Sequence, residues 1–396
     1  MTMTLRNLIH YCGILLIVIL VFPQAQATAI SGVQIFPHDH VWNVPIDTLP
    51  VDSRSADYVS NIGTMSHLHP DFGADLDGTG PFGIPINIVN NTVTKKTVTF
   101  DYDDESDPGP YPVPANPLIE GGADSDGDRH ILMLHTDEKK LYELYYAWPQ
   151  PGGTWTAGSG AIYDLTKYDL RPAGWTSADA AGLAMIPGLV RYDEVAAGKI
   201  THAIRFTAQK TRKAYIWPAR HFASSNTSPV LPPMGQRFRL KASFDTSGYG
   251  PQSRVVLEAL KKYGMILADN GGNWFISGAP DTRWDDDDLN DLKQLKGSDF
   301  EAVDESSLMI NANSGRANVV LPGPIALPGQ SSAPTDPDKD GLYEDLNANG
   351  RKDFADVVLF FEHLDWIATH EPLAAFDYNG NGRVEFADIV LLYDEL

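Results

Sequence analysis

Cysteine is almost absent from this chain of 396 residues, which contains only Cys12. A single thiol cannot form a disulfide within the chain, although disulfides commonly reinforce small exported domains. The sequence therefore predicts a fold that is stabilised by a hydrophobic core, and a body of about 300 residues is large enough to bury one.

Long apolar runs are also scarce. The longest, residues 12–22, has about 11 residues, whereas a membrane-spanning helix needs about 20. Arg6 precedes this run and the small residues Ala25, Ala27 and Ala29 follow it, which is the pattern of a cleavable secretory signal. We expect residues 1–29 to be this signal and the remainder to be secreted, extracellular or attached to the cell surface, without a membrane-spanning segment.

Clusters of basic residues are the third absence. Lys and Arg total 30 against 52 Asp and Glu, which gives a net charge of −22. Nucleic-acid binding depends on neutralising phosphates with Lys and Arg, so we expect no nucleic acid as a partner. Residues 336–396 contain 15 acidic and 4 basic residues, so half of the net charge belongs to this C-terminal segment.

The C-terminal segment contains the same oxygen-rich loop twice, Asp-x-Asn-x-Asn-Gly with an acidic residue six positions after the glycine. The loops are residues 345–356 and 377–388, and residues 345–364 match residues 377–396 at 11 of 20 positions. A twelve-residue loop of this kind offers calcium oxygen ligands from positions 1, 3, 5, 7, 9 and 12. Apolar residues at helical spacing follow each loop, which predicts an amphipathic helix after each one.

Two loop–helix halves with Asp at the twelfth loop position resemble a type I dockerin domain over residues 336–396. The resemblance implies a small all-α calcium-binding domain that docks to a cohesin-like domain of a scaffold or cell surface. By motif position, the implied Ca²⁺ ligands are Asp345, Asn347, Asn349, the Arg351 carbonyl, Asp353 and Asp356 in the first loop, and Asp377, Asn379, Asn381, the Arg383 carbonyl, Glu385 and Asp388 in the second.

A third copy of the ligand spacing, Asp336-x-Asp338-x-Asp340-Gly341, lies upstream of the two loops. Glu344, Asp345 or Asn347 could complete it as a further calcium site. The alternative is a solvated acidic linker, because Asp345 cannot freely serve two ions.

The body, residues 31–310, is joined to the C-terminal segment by a Pro/Gly/Ser-rich linker, residues 311–335. Runs rich in Tyr, Ile, Val, Phe and Trp predict strands at residues 130–134, 141–148, 200–207, 214–217, 237–244 and 274–276. Helices are predicted at residues 252–263 and 285–296. The predicted fold is a mainly β body, sandwich or barrel-like with a few helices, followed by the small all-α domain.

The body is also similar to a widespread group of secreted proteins from bacteria and archaea. The similarity lies in the sequence segments 176–183, 188–195 and 264–270. This resemblance implies one continuous unit from about residue 35 to about residue 308. It transfers no catalytic residue, so it supports the boundaries of the body and not an activity.

Acidic residues near predicted turns and strand ends are the candidates for catalysis. Glycoside hydrolysis uses two carboxyl groups, one as an acid and the other as a base or nucleophile. The candidates are Asp128, Asp179, Asp193, Glu194 and Asp269. Each of them could instead begin a turn or cap a segment, so the catalytic residues stay unassigned.

Histidine and tryptophan offer two further possibilities. The histidine pairs 38/40, 67/69 and 130/135 allow a transition-metal site. His67 with His69 is the strongest candidate pair, because alternate residues of a strand share a face. Ordinary hydrogen bonding is the alternative. Six tryptophans within two residues of a Gly, Pro or Asp could bind sugar rings or belong to the core; they are Trp148, Trp155, Trp175, Trp217, Trp274 and Trp284.

Two functions remain open. Dockerins mostly accompany polysaccharide-active enzymes, so the resemblance implies a hydrolase or lyase that the calcium-binding tail brings to its polysaccharide or scaffold. The alternative is a non-catalytic cell-surface protein whose β body binds glycan or protein, because recognisable catalytic signatures are lacking. For example, Gly158-Ser159-Gly160 lacks the five-residue Gly-x-Ser-x-Gly turn of serine hydrolases.

Overall fold

The computed structural model describes residues 29–319, 324–380 and 384–396. The predicted secretory signal therefore lies outside the described residues except for Ala29, and so do Asn381 and Arg383 of the second predicted loop. Within the described ranges, no helix combines the length and apolar character needed to cross a membrane. The body is mainly β, as the sequence predicts.

The body is built from short strands and a few helices. The strands are β1 (Ala29–Ile30), β2 (Val33–Gln34), β3 (His69–Asp71), β4 (Ile86–Val89), β5 (Val98–Phe100), β6 (Ile131–His135), β7 (Lys140–Tyr145), β8 (Trp148–Pro149), β9 (Trp155–Ala157), β10 (Ser159–Asp164), β11 (Ile204–Ala208), β12 (Arg237–Leu240), β13 (Met265–Asn270), β14 (Phe275–Ser277) and β15 (Phe300–Ala302). The helices of the body are α1 (Ser55–Ile62), α2 (Tyr192–Ala196), α3 (Pro251–Lys262) and α4 (Asp286–Asp291).

These strands form four sheets within the described part of the chain. The largest has the order β15-β12-β13-β11-β14-β3, and the next has the order β10-β7-β6-β4. Smaller sheets have the orders β5-β9-β8 and β1-β2. Both large sheets mix parallel and antiparallel pairs, because β11 runs parallel to β13 and β4 runs parallel to β6.

The two large sheets share the main hydrophobic core. Leu132 and Leu134 of the four-stranded sheet belong to the same buried cluster as Phe206 and Met265 of the six-stranded sheet. The alternate residues of β6, such as Met133, belong to a second cluster on the opposite face. The four-stranded sheet is therefore covered on both sides, which explains why β6 is a continuous apolar run instead of an alternating one.

Most predicted elements of the body are present, with shifted ends. Helix α3 confirms the helix predicted at 252–263; it begins with Pro251 at the first position and is followed by Gly264 in a left-handed conformation. The helix predicted at 285–296 is shorter, because α4 is followed by a 3₁₀ turn at Leu292–Gln294. The strand predicted at 214–217 is wrong, since Tyr215 makes only an isolated bridge with Met234.

The tail contains four helices among the described residues, α5 (Phe354–Glu362), α6 (Leu364–His370), α7 (Leu373–Phe376) and α8 (Phe386–Asp394). Helices α5 and α8 begin at the tenth position of the two loops, and each continues over the apolar residues for which the sequence predicts a helix. Each starts with a capping box, in which the Asp353 and Glu385 side chains accept backbone N–H groups at the helix start. Both helices contribute to a core of their own that includes Phe360.

Candidate functional site

A polar cleft of about 370 Å³ lies where the two large sheets meet. Its walls come from the segment after β5, the residues before β6, the end of β7, the start of β10, residues 176–180, His221 with Ala223, and the end of β13. The side chains that matter for chemistry are Tyr102, Glu105, Asp128, Tyr145, His221 and Asp269. Three of the five carboxylates singled out from the sequence, Asp128, Asp179 and Asp269, therefore line one cleft.

Arg205 of β11 organises the buried side of this cleft. Its Nε and Nη2 donate to the two oxygens of Asp179 at 2.6 and 2.8 Å, and its Nη1 donates to Ser277 Oγ at 2.7 Å. Asp269 Oδ2 lies 3.4 Å from Nη2. Because Asp179 is fully buried, it positions Arg205 and does not face solvent, whereas the Asp269 side chain remains 24% exposed.

A β-bulge brings Asp269 to this cluster. Phe206 pairs with Leu267, but the next residue of β11, Thr207, pairs with Asp269, so Ala268 is an extra residue in β13. Paired residues of parallel strands point to the same face, and Thr207 shares its face with Arg205. Without the bulge, Ala268 would occupy the position that Asp269 takes beside Arg205.

The surroundings of Asp269 raise the pKa of its carboxyl group. Burial raises its pKa to about 7, the negative charge of Asp179 adds to this effect, and Arg205 only partly offsets it. A carboxyl group with a pKa near neutrality can donate a proton to a leaving oxygen and recover it afterwards. This property distinguishes Asp269 from an ordinary surface aspartate.

His130 and Glu120 form a second polar pair near the cleft. His130 Nδ1 lies 2.5 Å from Glu120 Oε2, and Nε2 lies 3.0 Å from the Ala178 carbonyl oxygen. Burial lowers the pKa of His130, but the hydrogen bond and charge of Glu120 outweigh it and raise the pKa to about 9. Glu120, Asp128 and His130 each offer a ligand atom within 4.8 Å of the others, so this group could hold a metal ion.

Other candidates from the sequence lie elsewhere. Glu194 is buried between Arg191, at 2.7 Å, and His202, at 3.1 Å, and therefore stabilises the region around α2. The exposed Asp193 lies 3.5 Å from Arg191. Neither residue lines the cleft, and of the two only Glu194 is buried and paired.

The predicted histidine pairs do not converge among the described residues. His67 Nδ1 lies 2.6 Å from the Lys293 carbonyl, while His69 stacks on Phe275 and lies 4.0 Å from Asp71. His40 is buried and stacked on Phe36, and its pKa is lowered to about 3 by burial. His135 contacts Glu138 and not the Glu120 pair of His130.

Most of the tryptophans that the sequence left open between sugar binding and core packing belong to the core. Trp155, Trp217, Trp274 and Trp284 are buried. Arg129 stacks over Trp148 at 3.6 Å, so that ring supports the loop before β6. The aromatic side chains of the cleft are instead Tyr102, which is 54% exposed, and Tyr145.

The tail contains a second group that could hold a metal ion, formed by Asp336, Asp338, Asp340 and Glu344. Glu344 is 1% exposed, and neither of its carboxylate oxygens has a hydrogen-bond partner among the described residues. Burial, then the charges of Asp338 and Asp340, raise its pKa to about 7. Of the three residues that could complete this group, the structure therefore places Glu344 there.

Asp345 belongs to the first loop instead. Its carboxylate accepts the N–H groups of Asn349 and Gly350 at 2.9 and 2.8 Å. Asp356, at the end of the same loop, accepts from Asn347 at 3.2 Å and from Asp353 at 2.9 Å. Asp345 and Asp356 are both fully buried, and burial followed by the charge of Asp345 raises the pKa of Asp356.

The second loop repeats this arrangement where it is described. Asp388 is fully buried, and it accepts the N–H groups of Asn379 at 3.1 Å and Glu385 at 2.8 Å. Burial, then the charge of Glu385, raise its pKa. The predicted ligand set of this loop also includes Asp377, Asn381 and the Arg383 carbonyl. Of these three residues, Asn381 and Arg383 lie outside the described residues.

Helices α5 and α8 present a common apolar face. Two ring pairs join them, Phe354 with Tyr393 and Phe361 with Phe386, each at 6.3 Å between centroids. In the internal repeat Phe354 corresponds to Phe386 and Phe361 to Tyr393, so the two contacts are equivalent under an approximate twofold axis. The exposed apolar side chains of this face are Phe354, Val358, Phe361, Phe386, Val390 and Tyr393.

Sequence reasoning missed Arg205, Glu105 and His221. Glu105 Oε2 accepts the Thr176 N–H at 2.9 Å and lies 3.9 Å from His221. An arginine in the strand Ile204–Ala208, which contains no other charged residue, was the available signal for Arg205, because an unpaired charge in a buried strand is costly.

Comparison of the chain with protein-family models, with curated proteins and with solved structures found no match.

Proposed function

We propose that this protein is a secreted polysaccharide-active enzyme, a hydrolase or lyase, whose active site is the cleft beside Arg205 and whose tail binds calcium. The observation that carries the enzymatic part is Asp269, whose pKa is raised to about 7 in a cleft that contains other carboxylates and aromatic rings. Asp269 donates the proton to the oxygen of the leaving sugar.

The remaining groups of the cleft fit this role. Glu105 and Asp128 are the other carboxylates that reach the cleft surface, and one of them supplies the charge or base that completes the reaction. The exposed ring of Tyr102 offers an apolar face to a sugar. Arg205 and Asp179 fix the position of Asp269, since both are buried and paired.

The calcium-binding part of the proposal is supported by Glu344. A buried carboxylate without a hydrogen-bond partner is unfavourable unless a cation satisfies it. Asp336, Asp338 and Asp340 supply further oxygen atoms within 4.8 Å, and an all-oxygen ligand set suits calcium. The buried Asp345, Asp356 and Asp388 extend the same argument to the two repeated loops.

The tail then serves as the docking module of the enzyme, in line with its resemblance to dockerins. The shared apolar face of α5 and α8 carries six exposed apolar side chains, and exposed apolar patches of this kind commonly mark interaction sites. The proposed partner is a cohesin-like domain on a scaffold or cell surface. Docking would keep the cleft close to an insoluble polysaccharide.

The enzymatic proposal is tested by incubating the full chain, with calcium present, with a panel of plant, microbial and animal polysaccharides. New reducing ends indicate hydrolysis, and unsaturated products indicate a lyase. Asp269→Asn is expected to lower kcat by about 10²- to 10⁴-fold, the usual contribution of a general acid. Asp193→Asn changes an exposed carboxylate outside the cleft and is expected to leave kcat unchanged.

The non-catalytic alternative gives a different result in the same experiment. A cell-surface binding protein would retain a polysaccharide without releasing products, and Asp269→Asn would leave that binding intact. Turnover that persists in Asp269→Asn at the wild-type rate would exclude Asp269 as the acid. Loss of turnover with binding retained would support the enzyme.

A further inference from the structure

The loop from Glu120 to His130 is closed by hydrogen bonds. The Glu120 N–H donates to the His130 carbonyl at 3.1 Å, so the two ends of the loop are joined. Between Asp128 and His130, Arg129 adopts a left-handed conformation, with φ of 48°. The Arg129 side chain is buried over Trp148 and donates to the carbonyl oxygens of Ala123, Ser125 and Ala147. This anchoring fixes the residues on either side of Arg129.

The orientation of His130 resembles that of a metal ligand. Its ring is 3% exposed, and Nε2–H donates to the Ala178 carbonyl at 3.0 Å. A histidine that binds a metal through one nitrogen usually donates its other N–H to a carbonyl or carboxylate, which fixes the ring and the tautomer. Nδ1 is then the nitrogen available to a metal, and it points at Glu120 Oε2, 2.5 Å away.

We propose that Glu120, Asp128 and His130 form a binding site for a divalent transition metal, separate from the calcium sites of the tail. One imidazole nitrogen and two carboxylate oxygens lie within 4.8 Å of one another. Three such ligands leave coordination positions open, as in catalytic zinc sites. The nitrogen ligand favours zinc or a related transition metal over calcium, which prefers oxygen ligands only.

Binding exchanges one proton for the metal. In the metal-free protein the proton on Nδ1 is shared with Glu120, and the incoming ion replaces it on both atoms while the proton passes to solvent. The local charge favours the exchange, because Asp128 adds a second carboxylate beside the pair. The nearby cation, Arg205, is paired by Asp179 and lies beside Asp269, which reduces its repulsion of a metal.

The site bears on catalysis only if the proposed function holds. Asp128 lines the same cleft as Asp269, so a metal held by Asp128 would face the proposed substrate. Hydroxyl or carboxylate oxygens of a sugar could take its open positions. Asp128 would then be a metal ligand, which leaves Glu105 as the second carboxyl group that acts with Asp269. Metal binding itself requires none of this.

The test measures zinc binding to the full chain by calorimetry, with millimolar calcium present so that the tail sites are filled. We expect the wild-type protein to bind one zinc ion at the group formed by Glu120, Asp128 and His130. Asp128→Asn and Glu120→Gln are expected to weaken that binding by at least about tenfold. Asp126→Asn is the matched control, because Asp126 is an exposed carboxylate of the same loop outside the ligand group.

Cobalt provides a second readout that does not depend on activity. Replacing zinc with Co²⁺ should give visible absorption bands that disappear in Asp128→Asn and remain in Asp126→Asn. Zinc affinity that is equal in wild type, Asp128→Asn and His130→Gln would overturn the proposal. So would binding that is lost in His221→Gln alone, or no zinc binding by the wild type. A zinc site without polysaccharide turnover would refute only the proposed function.

Discussion

Arg205 and Asp179 meet through two parallel hydrogen bonds, of 2.6 and 2.8 Å, in the buried wall of the cleft. Replacing Arg205 alone would leave Asp179 as a buried unpaired charge, and replacing Asp179 would leave Arg205 only the longer contact to Asp269, at 3.4 Å. The side chain of Asp179 is fully buried and that of Arg205 is 7% exposed. The pair therefore links the loop around Asp179 to β11 and, through Arg205, sets the position of Asp269.

Asp179→Ala is accordingly expected to destabilise the body by about 3–5 kcal/mol, the usual cost of breaking a buried ion pair from one side. Thermal unfolding of the full chain with calcium present would measure the loss. Asp193→Ala removes an exposed carboxylate that lies 3.5 Å from Arg191, and it should cost at most about 1 kcal/mol. Equal losses in the two variants would contradict the assigned role of the pair.

The titration of Asp269 should make the free energy of unfolding depend on pH. Its pKa is raised to about 7 in the folded protein, and in the unfolded chain it is close to 3.9. Between these two pH values the folded state keeps a proton on Asp269 that the unfolded state releases. The contribution of Asp269 to the free energy of unfolding is therefore complete below about pH 4. It declines as the pH rises and is lost above about pH 7.

Asp269→Asn should flatten the unfolding temperature between pH 5 and pH 8 relative to wild type. Asp281→Asn is the comparison, since the hydrogen bonds and charge of Arg283 lower the pKa of Asp281 and keep it ionised throughout that range. If both variants show the wild-type slope, Asp269 does not hold its proton to neutral pH. It could not then act as the proposed acid.

Local elements of the fold could be predicted from the sequence where one physical signal dominates. Helix α3 has a proline at its start, apolar residues at helical spacing and a glycine after its end, and all three agree. The segment at 214–217 is rich in strand-forming residues, but Trp217 precedes Pro218, which cannot donate to a ladder. The structure therefore has a loop there.

The cleft could not be predicted, because its residues are distant in sequence. Asp128 precedes β6 and Asp269 is the penultimate residue of β13, and they meet only because the two large sheets share a core. Strand order and register decide such meetings, and the bulge at Ala268 has no signal in the sequence. The proposed calcium loops of the tail differ, since a loop of this kind takes its ligands from residues close together in the sequence.

Glu344 gives a specific prediction about calcium in the tail. Calorimetric titration of the full chain should detect one calcium ion fewer in Glu344→Gln than in wild type. The amide of Gln lacks the negative charge that Glu344 contributes to the ligand group with Asp336, Asp338 and Asp340. Each independent site should add about 2.7 kcal/mol of stability to the tail when free calcium is 100 times its dissociation constant. Chelation should remove this stabilisation.

Glu362→Gln is the matched control for this experiment, because Glu362 is an exposed carboxylate at the end of α5. It should bind as many calcium ions as the wild type. The double variant Asp345→Ala/Asp377→Ala should lose the two loop sites and keep the Glu344 site if the three are separate. Unchanged stoichiometry in Glu344→Gln would show that its group is only an acidic linker.

The apolar face of α5 and α8 gives the prediction about partners. Phe361 and Phe386 contact each other across the two helices and are 62% and 58% exposed. Replacing both with serine should abolish binding to a cohesin-like domain, because large exposed aromatic side chains contribute most of the energy at interfaces. Calcium affinity should stay at the wild-type value, since neither side chain is an oxygen ligand.

Met65→Ser is the control for this double variant. Met65 is 65% exposed and lies in the body, so its replacement removes a comparable apolar group without touching the tail. Binding should be measured by surface plasmon resonance against a panel of cohesin domains, and self-association by sedimentation. If Phe361→Ser/Phe386→Ser instead converts a dimer of this chain into a monomer and no cohesin binds, the face joins two copies of the protein and the docking role is excluded.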